Sequence, residues 1–317
     1  MSTLSQRPTY TRSQLSQWLS LTNQTQPSLS LEHLEELIKQ DPLETLRMIQ
    51  LWQLATVPFG NLVLHYSQHH TVSLDSETLF HKIVNRRMGG YCMENNTFMA
   101  TVLRSLGYIL YTAGARVGYV LGDGYKGPQG YGGWGHMLNI VTVHDQKYMV
   151  DVGFGSSGAV KPIHLKDGEI VQSVPPARQR LVYQAIAQLT NASQKMWVFE
   201  VQFSPESSWI PQYCFSEVEF LPEDFRVMNY FTSQSRTSWF TQWLVMTKVI
   251  LDSERKKPVG SLILSGNELK HRLHGHSETL VICVTEAERV SMLEKYFDVK
   301  LEPDEIRGVQ GLSSEIK

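Results

Sequence analysis

Cysteine is scarce in this chain of 317 residues, which contains only Cys92, Cys214 and Cys283. So small and odd a number of cysteines excludes the disulfide framework that holds many small secreted domains together. A free cysteine is usually a small, buried, apolar residue, so the number alone assigns these thiols no function. Any reactive role for one of them must be argued from the residues around it.

Long hydrophobic runs and a strong net charge are also missing. The chain has no stretch of about eighteen apolar residues, and its N-terminus lacks the apolar core of a signal peptide. We therefore expect no membrane partner and a cytoplasmic location. The formal net charge of −2 gives no reason to expect a nucleic-acid partner. A content of 42% hydrophobic and 19% charged residues is typical of a soluble globular enzyme.

Hydrophobic patterning divides the chain into three segments. Residues 1–107 show mainly helical periodicity, residues 108–215 alternate as strands do, and residues 216–317 mix both patterns. The length allows two or three domains. We therefore predict an α+β fold with an N-terminal helical bundle, a central antiparallel β-barrel and a C-terminal α/β lid.

Local patterns predict individual elements within these segments. The predicted helices include residues 94–106 and 286–297, and the predicted strands include residues 136–143, 147–152 and 239–251. Residues 122–135 contain seven glycines and are expected to form a loop rather than a strand. Residues 312–317 are expected to be a frayed tail.

The most informative stretch is residues 86–96, Arg-Arg-Met-Gly-Gly-Tyr-Cys-Met-Glu-Asn-Asn. Gly89 and Gly90 allow the backbone to turn sharply and to approach a bound molecule closely. Cys92 follows almost at once, at or near the first turn of the predicted helix. Unpaired N–H groups and the positive end of the helix dipole favour the thiolate there, which is the reactive form of cysteine. Cys92 is therefore a candidate nucleophile.

Two downstream residues, His136 and Asp151, can activate this thiol. His136 begins one predicted strand and Asp151 lies near the end of the next, a separation that suits two antiparallel strands joined by the polar turn at residues 144–146. A hairpin of this kind carries both residues toward one end of a sheet. Cysteine, histidine and aspartate in this order can form a triad, in which the imidazole takes the thiol proton and the carboxylate orients the imidazole.

Such a triad is compatible with more than one function. A cysteine hydrolase of the protease type and a transglutaminase-like enzyme use the same residues in the same order, with water or a lysine amine as the acceptor. A non-catalytic binding or scaffold protein that retains the fold is a third possibility. The reactivity of Cys92 and its choice of acyl donor distinguish these three classes.

Metal binding is another chemistry that histidines can indicate. His69 and His70 are adjacent, and His271, His274 and His276 form a cluster near the C-terminus. Neither group is accompanied by cysteine or carboxylate residues at a familiar ligand spacing. We therefore interpret these histidines as surface or loop residues and predict no metal site.

The residues around the candidate triad resemble those of the arylamine N-acetyltransferases. The active-site signature of that family is matched here by Gly89, Gly90, Tyr91, Cys92, Glu94 and Asn96. The family's histidine-bearing strand resembles residues 136–141, and its Val-Asp-Val-Gly-Phe-Gly strand is matched by residues 150–155. Residues 57–62 and 224–229 resemble two further family segments. The resemblance thus extends over most of the chain.

This resemblance implies a reaction. The family transfers the acyl group of acetyl-CoA, or of another acyl-CoA such as propionyl- or malonyl-CoA, to an arylamine, hydrazine or arylhydroxylamine, and it acts in the detoxification of xenobiotics. By resemblance, Cys92 would carry the acyl group as a thioester, and His136 and Asp151 would complete the triad. Such a double displacement predicts ping-pong kinetics.

Contacts to the two substrates are expected near the triad. Glycines with exposed N–H groups can hold a phosphate, although a glycine-rich stretch is equally typical of a mobile surface connection. Family members bind coenzyme A with the residues that precede the histidine. The expected donor contacts are therefore Gly132, Gly133 and Trp134, with Thr237 added by the same resemblance. Candidates for the wall of an apolar acceptor pocket are Phe154, Tyr91 and Trp134.

Two positions depart from the family pattern. Met88 stands where the family usually has an arginine directly before the two glycines, and the nearest arginine is Arg87. Gly60 replaces a customary glutamate. Neither departure changes the three groups that are predicted to react.

Overall fold

The computed structural model describes residues 7–23, 29–120 and 129–317. Its α-helices are α1 (Arg12–Thr22), α2 (Leu31–Gln40), α3 (Pro42–Thr56), α4 (Ser76–Phe80), α5 (Cys92–Ser105), α6 (Pro222–Gln234), α7 (Trp239–Gln242), α8 (Glu286–Phe297) and α9 (Pro303–Arg307). Its strands are β1 (Phe59–Gly60), β2 (Ile109–Gly118), β3 (Tyr131–Val143), β4 (Gln146–Val150), β5 (Ile163–His164), β6 (Ile170–Gln172), β7 (Arg178–Gln184), β8 (Met196–Gln202), β9 (Ile210–Phe215), β10 (Val245–Leu251), β11 (Pro258–Ser265), β12 (Glu268–Leu273) and β13 (His276–Ile282). The prediction of an α+β fold is confirmed.

The N-terminal helices begin where polar side chains satisfy their first N–H groups. Thr11 accepts a hydrogen bond from the backbone N–H of Gln14 at the start of α1, and Asp41 does the same for Glu44 at the start of α3. The apolar faces of these helices pack against α5 in one core cluster, which includes the fully buried Trp18. The N-terminal bundle thus holds the helix that carries Cys92.

The larger sheet is antiparallel and nearly closed. Its eight strands run in the order β5-β4-β3-β2-β9-β8-β7-β6, and β5 also lies against β7. Alternate residues point into its interior, where Leu138, Ile140, Phe199 and Tyr213 are fully buried. The predicted central antiparallel barrel is therefore confirmed as an eight-stranded, nearly closed sheet.

Strand β3 begins earlier than the sequence predicts. Tyr131 pairs with Gly118 and Trp134 pairs with Arg116, with shifts of register between these pairs and the rest of the ladder. The expectation of a loop up to residue 135 was therefore wrong for residues 131–135, because pairing with β2 outweighs the low strand preference of their glycines. The first part of that expected loop, residues 122–128, lies outside the described residues.

The smaller sheet combines one strand of the N-terminal segment with four strands of the C-terminal segment. Its order is β1-β10-β11-β12-β13, so that the short β1 of the N-terminal segment pairs with β10. The predicted strand over residues 239–251 was wrong in its first part, where residues 239–242 form α7. Thr241 stabilises this turn, because its hydroxyl donates to the carbonyl groups of Ser235 and Ser238.

The C-terminal residues are held against the body of the protein. Ser313 Oγ donates to the carbonyl of Gln242 at 3.0 Å, and Ile316 N donates to Glu286 Oε1 at 2.8 Å. The carbonyl of Ser314 accepts a hydrogen bond from the buried Arg289 at 2.9 Å. The expectation of a frayed tail was wrong, because the packing partners of the tail lie far away in the sequence.

Among the described residues, no helix has both the length and the apolar character that a bilayer crossing requires.

Candidate active site

Cys92 is the first residue of α5, so its sulfur lies in the first turn of a helix, as the sequence predicts. The side chain of Glu94 accepts a hydrogen bond from the N–H of Tyr91 at 3.1 Å and thereby fixes the start of the helix. The thiol donates to the carbonyl of Gly135 at a distance of 3.6 Å between sulfur and oxygen. Cys92 is only 3% exposed.

The two glycines before Cys92 are required by the protein's own packing. Gly89 has a φ of +63°, and a Cβ atom there would lie 2.0 Å from the carbonyl oxygen of Pro58. A Cβ atom at Gly90 would lie 2.6 Å from Cβ of Glu94. Close approach of Pro58 and Glu94 therefore explains both glycines, where the sequence suggested close approach to a bound molecule.

A third glycine sets the distance between the helix and the barrel. Gly153 follows β4, and a Cβ atom there would lie 2.6 Å from Cα of Cys92 and 2.6 Å from Nδ2 of Asn96. Only glycine lets this segment pass so close to the first turns of α5. The contact places the end of β4 next to Cys92.

His136 and Asp151 are brought together by the predicted hairpin. Strands β3 and β4 pair in antiparallel register, with Asn139 opposite Val150. His136 Nε2 lies 2.7 Å from Asp151 Oδ2, and the two residues are 2% and 1% exposed. The structure thus gathers Cys92, His136 and Asp151 at the junction of α5 with the barrel.

Four donors surround the carboxylate of Asp151. His136 and the hydroxyl of Tyr213 donate to Oδ2, the latter at 2.9 Å. The amide of Asn96 and the N–H of Gly153 donate to Oδ1 at 2.9 Å and 2.8 Å. A buried carboxylate is stable only when its oxygens are paired in this way.

The charges of this pair stabilise one another. Burial alone would lower the pKa of His136, but the charge and hydrogen bond of Asp151 outweigh burial and raise that pKa to about 10. Burial alone would raise the pKa of Asp151, but His136, Asn96 and the N–H of Gly153 together bring it below its ordinary value. At neutral pH the arrangement therefore favours an imidazolium beside a carboxylate.

The remaining ring nitrogen of His136 is the one available to the thiol. Nε2 is engaged by Asp151, which leaves Nδ1, and the neighbouring side chain of Cys92 contributes to the raised pKa of the imidazole. Transfer of the thiol proton to this ring would leave a thiolate beside an imidazolium. The group can thus supply a nucleophile and a proton carrier at one point.

Three residues that hold the candidate triad in place are not singled out by the sequence analysis. Asn96 belongs to the quoted signature but was given no role, although its side chain bonds Asp151 and the N–H of Val152. Tyr213 lies in β9, far from Asp151 in the sequence, and the residues of β9 show no alternation that would mark it. Gln50 donates to the carbonyl of Asp151 at 3.1 Å, and no motif marks it.

The residues expected to contact the donor lie in two places. Trp134 makes an edge-to-face contact with Phe220, with 5.1 Å between ring centroids, and lies under the guanidinium of Arg116 at 4.2 Å. The carbonyl of Gly132 accepts a hydrogen bond from Arg116, and a Cβ atom at Gly133 would meet no atom within 4 Å. Thr237 is an exposed residue of the connection between α6 and α7. No hydrogen bond within the described ranges joins Thr237 to the other three.

The residues expected to line an acceptor pocket differ in exposure. Tyr91 is fully buried and its hydroxyl donates to Asn229, so its expected place in the pocket wall was wrong. Phe154 is partly exposed, with its ring centroid 5.1 Å from that of His136. A cavity of about 870 Å³ is lined by Thr97 and Met137, among other residues, but by none of Cys92, His136 and Asp151.

The departures from the family pattern are also explained by packing. Met88 is 5% exposed and lies in the core cluster under the smaller sheet. Arg87 points to the surface, where it forms an ion pair with Asp298. A Cβ atom at Gly60 would lie 2.9 Å from the carbonyl oxygen of Val245, so the pairing of β1 with β10 leaves no room for the customary glutamate.

Comparison with known sequences gives consistent matches. The model of a family described as N-acetyltransferase matches residues 42–306. N-malonyltransferase FDB2 of Fusarium pseudograminearum is 38% identical over 319 residues, which cover 95% of this chain and 93% of the relative. Arylamine N-acetyltransferase of Escherichia coli is 29% identical over 235 residues, which cover 74% of each chain.

Solved structures of arylamine N-acetyltransferases match the fold of this chain. The arylamine N-acetyltransferase of Nocardia farcinica has a TM-score of 0.74 and 26% identity, with 96% of this chain and 97% of that chain covered. The arylamine N-acetyltransferase of Mycobacterium marinum in complex with CoA has a TM-score of 0.73 and 24% identity, with 94% of this chain and 99% of that chain covered. At this identity the second match is evidence of the fold alone.

Proposed function

Because this chain belongs to the arylamine N-acetyltransferase family, we propose that it transfers the acyl group of acetyl-CoA, or of a related acyl-CoA, to the nitrogen of an arylamine, hydrazine or arylhydroxylamine. The observation that carries the proposal is the position of the thiol of Cys92 beside an imidazole whose other nitrogen lies 2.7 Å from the carboxylate of Asp151. Xenobiotic arylamines are the acceptor class we propose.

The first half of the reaction acylates the enzyme. In the resting pair His136 holds the proton of Cys92 as an imidazolium, and the thiolate sulfur attacks the carbonyl carbon of the acyl-CoA thioester. A new bond forms between this carbon and Sγ of Cys92, the bond to the sulfur of coenzyme A breaks, and the departing thiolate takes the proton from the imidazolium. Asp151 keeps the imidazole in the required orientation throughout.

The second half transfers the acyl group to the acceptor. The amine nitrogen attacks the thioester on Cys92, His136 accepts the proton that this nitrogen loses, and Cys92 departs as a thiolate that regains a proton. An aniline nitrogen is largely unprotonated at neutral pH but is a weak nucleophile, so it needs a reactive acyl group such as a thioester. Arylamines therefore suit a cysteine-bound intermediate.

The donor is proposed to approach Cys92 along residues 132–134 and Thr237. Gly133 supports this, because a Cβ atom there would meet no atom within 4 Å, so the packing of the described residues does not itself require a glycine. The N–H groups of such glycines can contact a phosphate or an amide of the pantetheine arm. Partly exposed aromatic rings, those of Phe59, Trp134 and Phe240, surround the cluster that contains Cys92 and mark the proposed entrance.

Malonyl-CoA is a second candidate donor. The relative with 38% identity is named as an N-malonyltransferase, and a malonyl group carries a carboxylate that needs a cation. Arg116 is a cation beside Trp134 and, within residues 7–23, 29–120 and 129–317, it forms no salt bridge. We propose that its guanidinium binds the malonyl carboxylate.

A donor panel tests this second candidate. Acetyl-, propionyl- and malonyl-CoA are each supplied with one arylamine to the wild-type protein and to Arg116→Ala. If malonyl-CoA is the donor, the variant should lose about ten- to a hundredfold in kcat/KM with malonyl-CoA, because a charge-assisted hydrogen bond is lost, and much less with acetyl-CoA. Arg180→Ala is a matched control, because Arg180 also stacks on a tryptophan at 4.2 Å. Equal losses with all three donors would refute a role for Arg116 in donor choice.

Mass spectrometry tests the proposed function as a whole. After incubation with acetyl-CoA or malonyl-CoA in the absence of acceptor, the intact protein should gain the mass of one acyl group, which peptide mapping should place on Cys92. Cys92→Ala should keep its fold but neither gain this mass nor catalyse transfer, while Cys214→Ser should behave like the wild-type protein. Peptide cleavage without acylation of Cys92 by an acyl-CoA would instead indicate a hydrolase.

A further inference from the structure

A second cavity lies between the barrel and the smaller sheet, and the proposed reaction does not use it. Its volume is about 380 Å³. The barrel side supplies Ser156, Ser157, Ser173 and Gln179, and the smaller sheet supplies Ser261, Arg272 and Ser277. The side chains that line it are thus rich in hydroxyl groups and include one guanidinium.

On the side of the smaller sheet, three residues that line the cavity form a row across neighbouring strands. Ser261 of β11 pairs with Arg272 of β12, and Arg272 pairs in turn with Ser277 of β13. Residues directly opposite one another in an antiparallel sheet point to the same face. Two hydroxyl groups therefore flank the guanidinium of Arg272 along one line across three strands.

These polar groups lack partners within the part of the chain that the structure describes. Arg272 has neither a salt bridge nor a side-chain hydrogen bond there, and the five serine hydroxyls have none. Gln179 is 1% exposed and donates to the carbonyl of Gly158 at 2.9 Å, but its Oε1 accepts no hydrogen bond. Ser173, Ser261 and Gln179 are buried, whereas Ser156, Ser157 and Arg272 are partly exposed and Ser277 is exposed. A guanidinium that has no ion partner among the described residues and lies among hydroxyl groups in a cavity fits an anionic ligand.

The segment of residues 153–157 connects the candidate triad to this cavity. Gly153 contacts Cys92, the ring of Phe154 contacts His136, and Ser156 and Ser157 line the cavity. Even a fully extended chain spans at most about 14 Å between residues 153 and 157. A molecule with a long flexible arm can therefore reach both the thiol and the cavity.

We propose that this cavity binds the 3′-phosphate of the acyl-CoA donor, with Arg272 as its counter-ion and the serine hydroxyls as hydrogen-bond donors. The inference rests on the proposed use of an acyl-CoA. It supplies what the expected donor contacts lack, because Gly132, Gly133, Trp134 and Thr237 carry no positive charge whereas the nucleotide end of coenzyme A is anionic. Arginine is suited to phosphate, since its planar group offers paired donors.

The test combines a variant of the protein with a variant of the donor. KM is measured for acetyl-CoA and for acetyl-dephospho-CoA, which lacks only the 3′-phosphate, with the wild-type protein and with Arg272→Ala. Loss of a charge-assisted hydrogen bond should raise KM for acetyl-CoA by about ten- to a hundredfold in the variant. Removal of the phosphate should weaken binding to the wild-type protein by a similar factor. The two changes together should be no worse than either alone.

Two control variants separate phosphate binding from a structural effect. Arg272→Lys keeps the charge but loses the paired donors, so its KM for acetyl-CoA should lie between those of the wild-type protein and Arg272→Ala. Lys270→Ala removes a charge from the same strand that already pairs with Glu268 at 2.8 Å, and it should leave KM unchanged. An equal rise in KM for both donors in Arg272→Ala, or no rise for either, would overturn the proposal.

Failure of this inference is distinguishable from failure of the proposed function. If acetyl-CoA acylates Cys92 but KM is insensitive to Arg272→Ala, the phosphate site is refuted and the transferase remains. If no acyl-CoA acylates Cys92 in the wild-type protein, the proposed function is refuted first and the phosphate site falls with it.

Discussion

Asp151 shows how single residues build this site. Its carboxylate is buried, yet it receives hydrogen bonds from His136, Asn96, Tyr213 and the N–H of Gly153. These donors come from two strands, one helix and the segment after β4. Because they fix both oxygens, the carboxylate in turn fixes the plane of the imidazole.

The pairing of Asp151 with His136 should make stability depend on pH. The pKa of His136 rises from 6.5 to about 10 on folding, so its contribution to stability is complete below pH 6.5 and is lost as the pH rises through 10. The pKa of Asp151 falls below 3.8 on folding, so its contribution is present above pH 3.8 and is lost as the pH falls through the folded pKa. The pair should therefore stabilise the fold most between pH 3.8 and pH 6.5.

Asp151→Asn tests this dependence. Its free energy of unfolding, measured with urea, should fall furthest below that of the wild-type protein between pH 3.8 and 6.5, and the gap should narrow toward pH 10. Asp145→Asn changes an exposed carboxylate of the β3–β4 turn and serves as the control. A gap that does not vary with pH would contradict the coupling of the two charges.

The hydroxyl group of Tyr213 should contribute to stability in addition to its buried ring. Tyr213→Phe keeps the ring but removes the donor that lies 2.9 Å from Asp151. Because the acceptor is charged and buried, we expect a loss of about 1.5–3 kcal/mol in the free energy of unfolding. Denaturation with urea measures this loss, and Tyr183→Phe, at an exposed tyrosine, should have almost no effect.

At the scale of elements, the junction of α5 with the end of β4 sets the position of Cys92 relative to His136 and Asp151. Cys92 belongs to the helix, whereas His136 and Asp151 belong to the hairpin of β3 and β4. The two units touch where Gly153 passes Cα of Cys92. A change of a few tenths of an ångström at this contact therefore acts directly on the distance between the sulfur and the imidazole.

Gly153→Ala should move the helix α5 away from the hairpin of β3 and β4. The added Cβ would lie 2.6 Å from a backbone atom, which cannot rotate away, so the segment must shift. We expect the melting temperature to fall and kcat for acyl transfer to fall by about ten- to a hundredfold. Gly133→Ala is the control for stability, because its Cβ would enter open space. A Gly153→Ala protein with unchanged kcat would show that this contact does not position the thiol.

At the scale of the whole molecule, the two ends of the chain lock the site between them. The amide of Asn61 donates to the carbonyls of Phe240 and Trp243 at 2.7 Å and 2.8 Å, next to the pairing of β1 with β10. The side chain of His65 contacts Ser314 in the C-terminal tail. The N-terminal segment and the C-terminal segment therefore hold each other in place around the barrel.

Removal of residues 313–317 should destabilise the protein. The deletion removes the carbonyl of Ser314, which accepts from the buried Arg289, and the N–H that donates to Glu286. Arg289 keeps its ion pair with Glu286 but loses one hydrogen bond of a buried, charged group. We therefore expect a loss of about 1–3 kcal/mol in the free energy of unfolding, measured with urea. Removal of the exposed Lys317 alone is the control. Equal stability of the shortened and complete chains would indicate a tail that is not held.

The sequence by itself determined those features that local patterns encode. Helical periodicity and the position of Cys92 at a helix start follow from side chains a few residues apart. The contact between His136 and Asp151 follows from a short turn between two alternating strands, since a hairpin leaves little choice of register. The antiparallel barrel was likewise predictable from alternation in consecutive strands.

Only the tertiary structure decided the contacts between distant parts of the chain. No local pattern reveals that Tyr213 faces Asp151, and none aligns Arg272 with serines of two other strands and of the barrel. The strand before His136 and the bound tail were missed for the same reason, because their hydrogen-bond partners are distant in sequence. Such contacts form only when the elements pack, and the packing is specified by the chain as a whole.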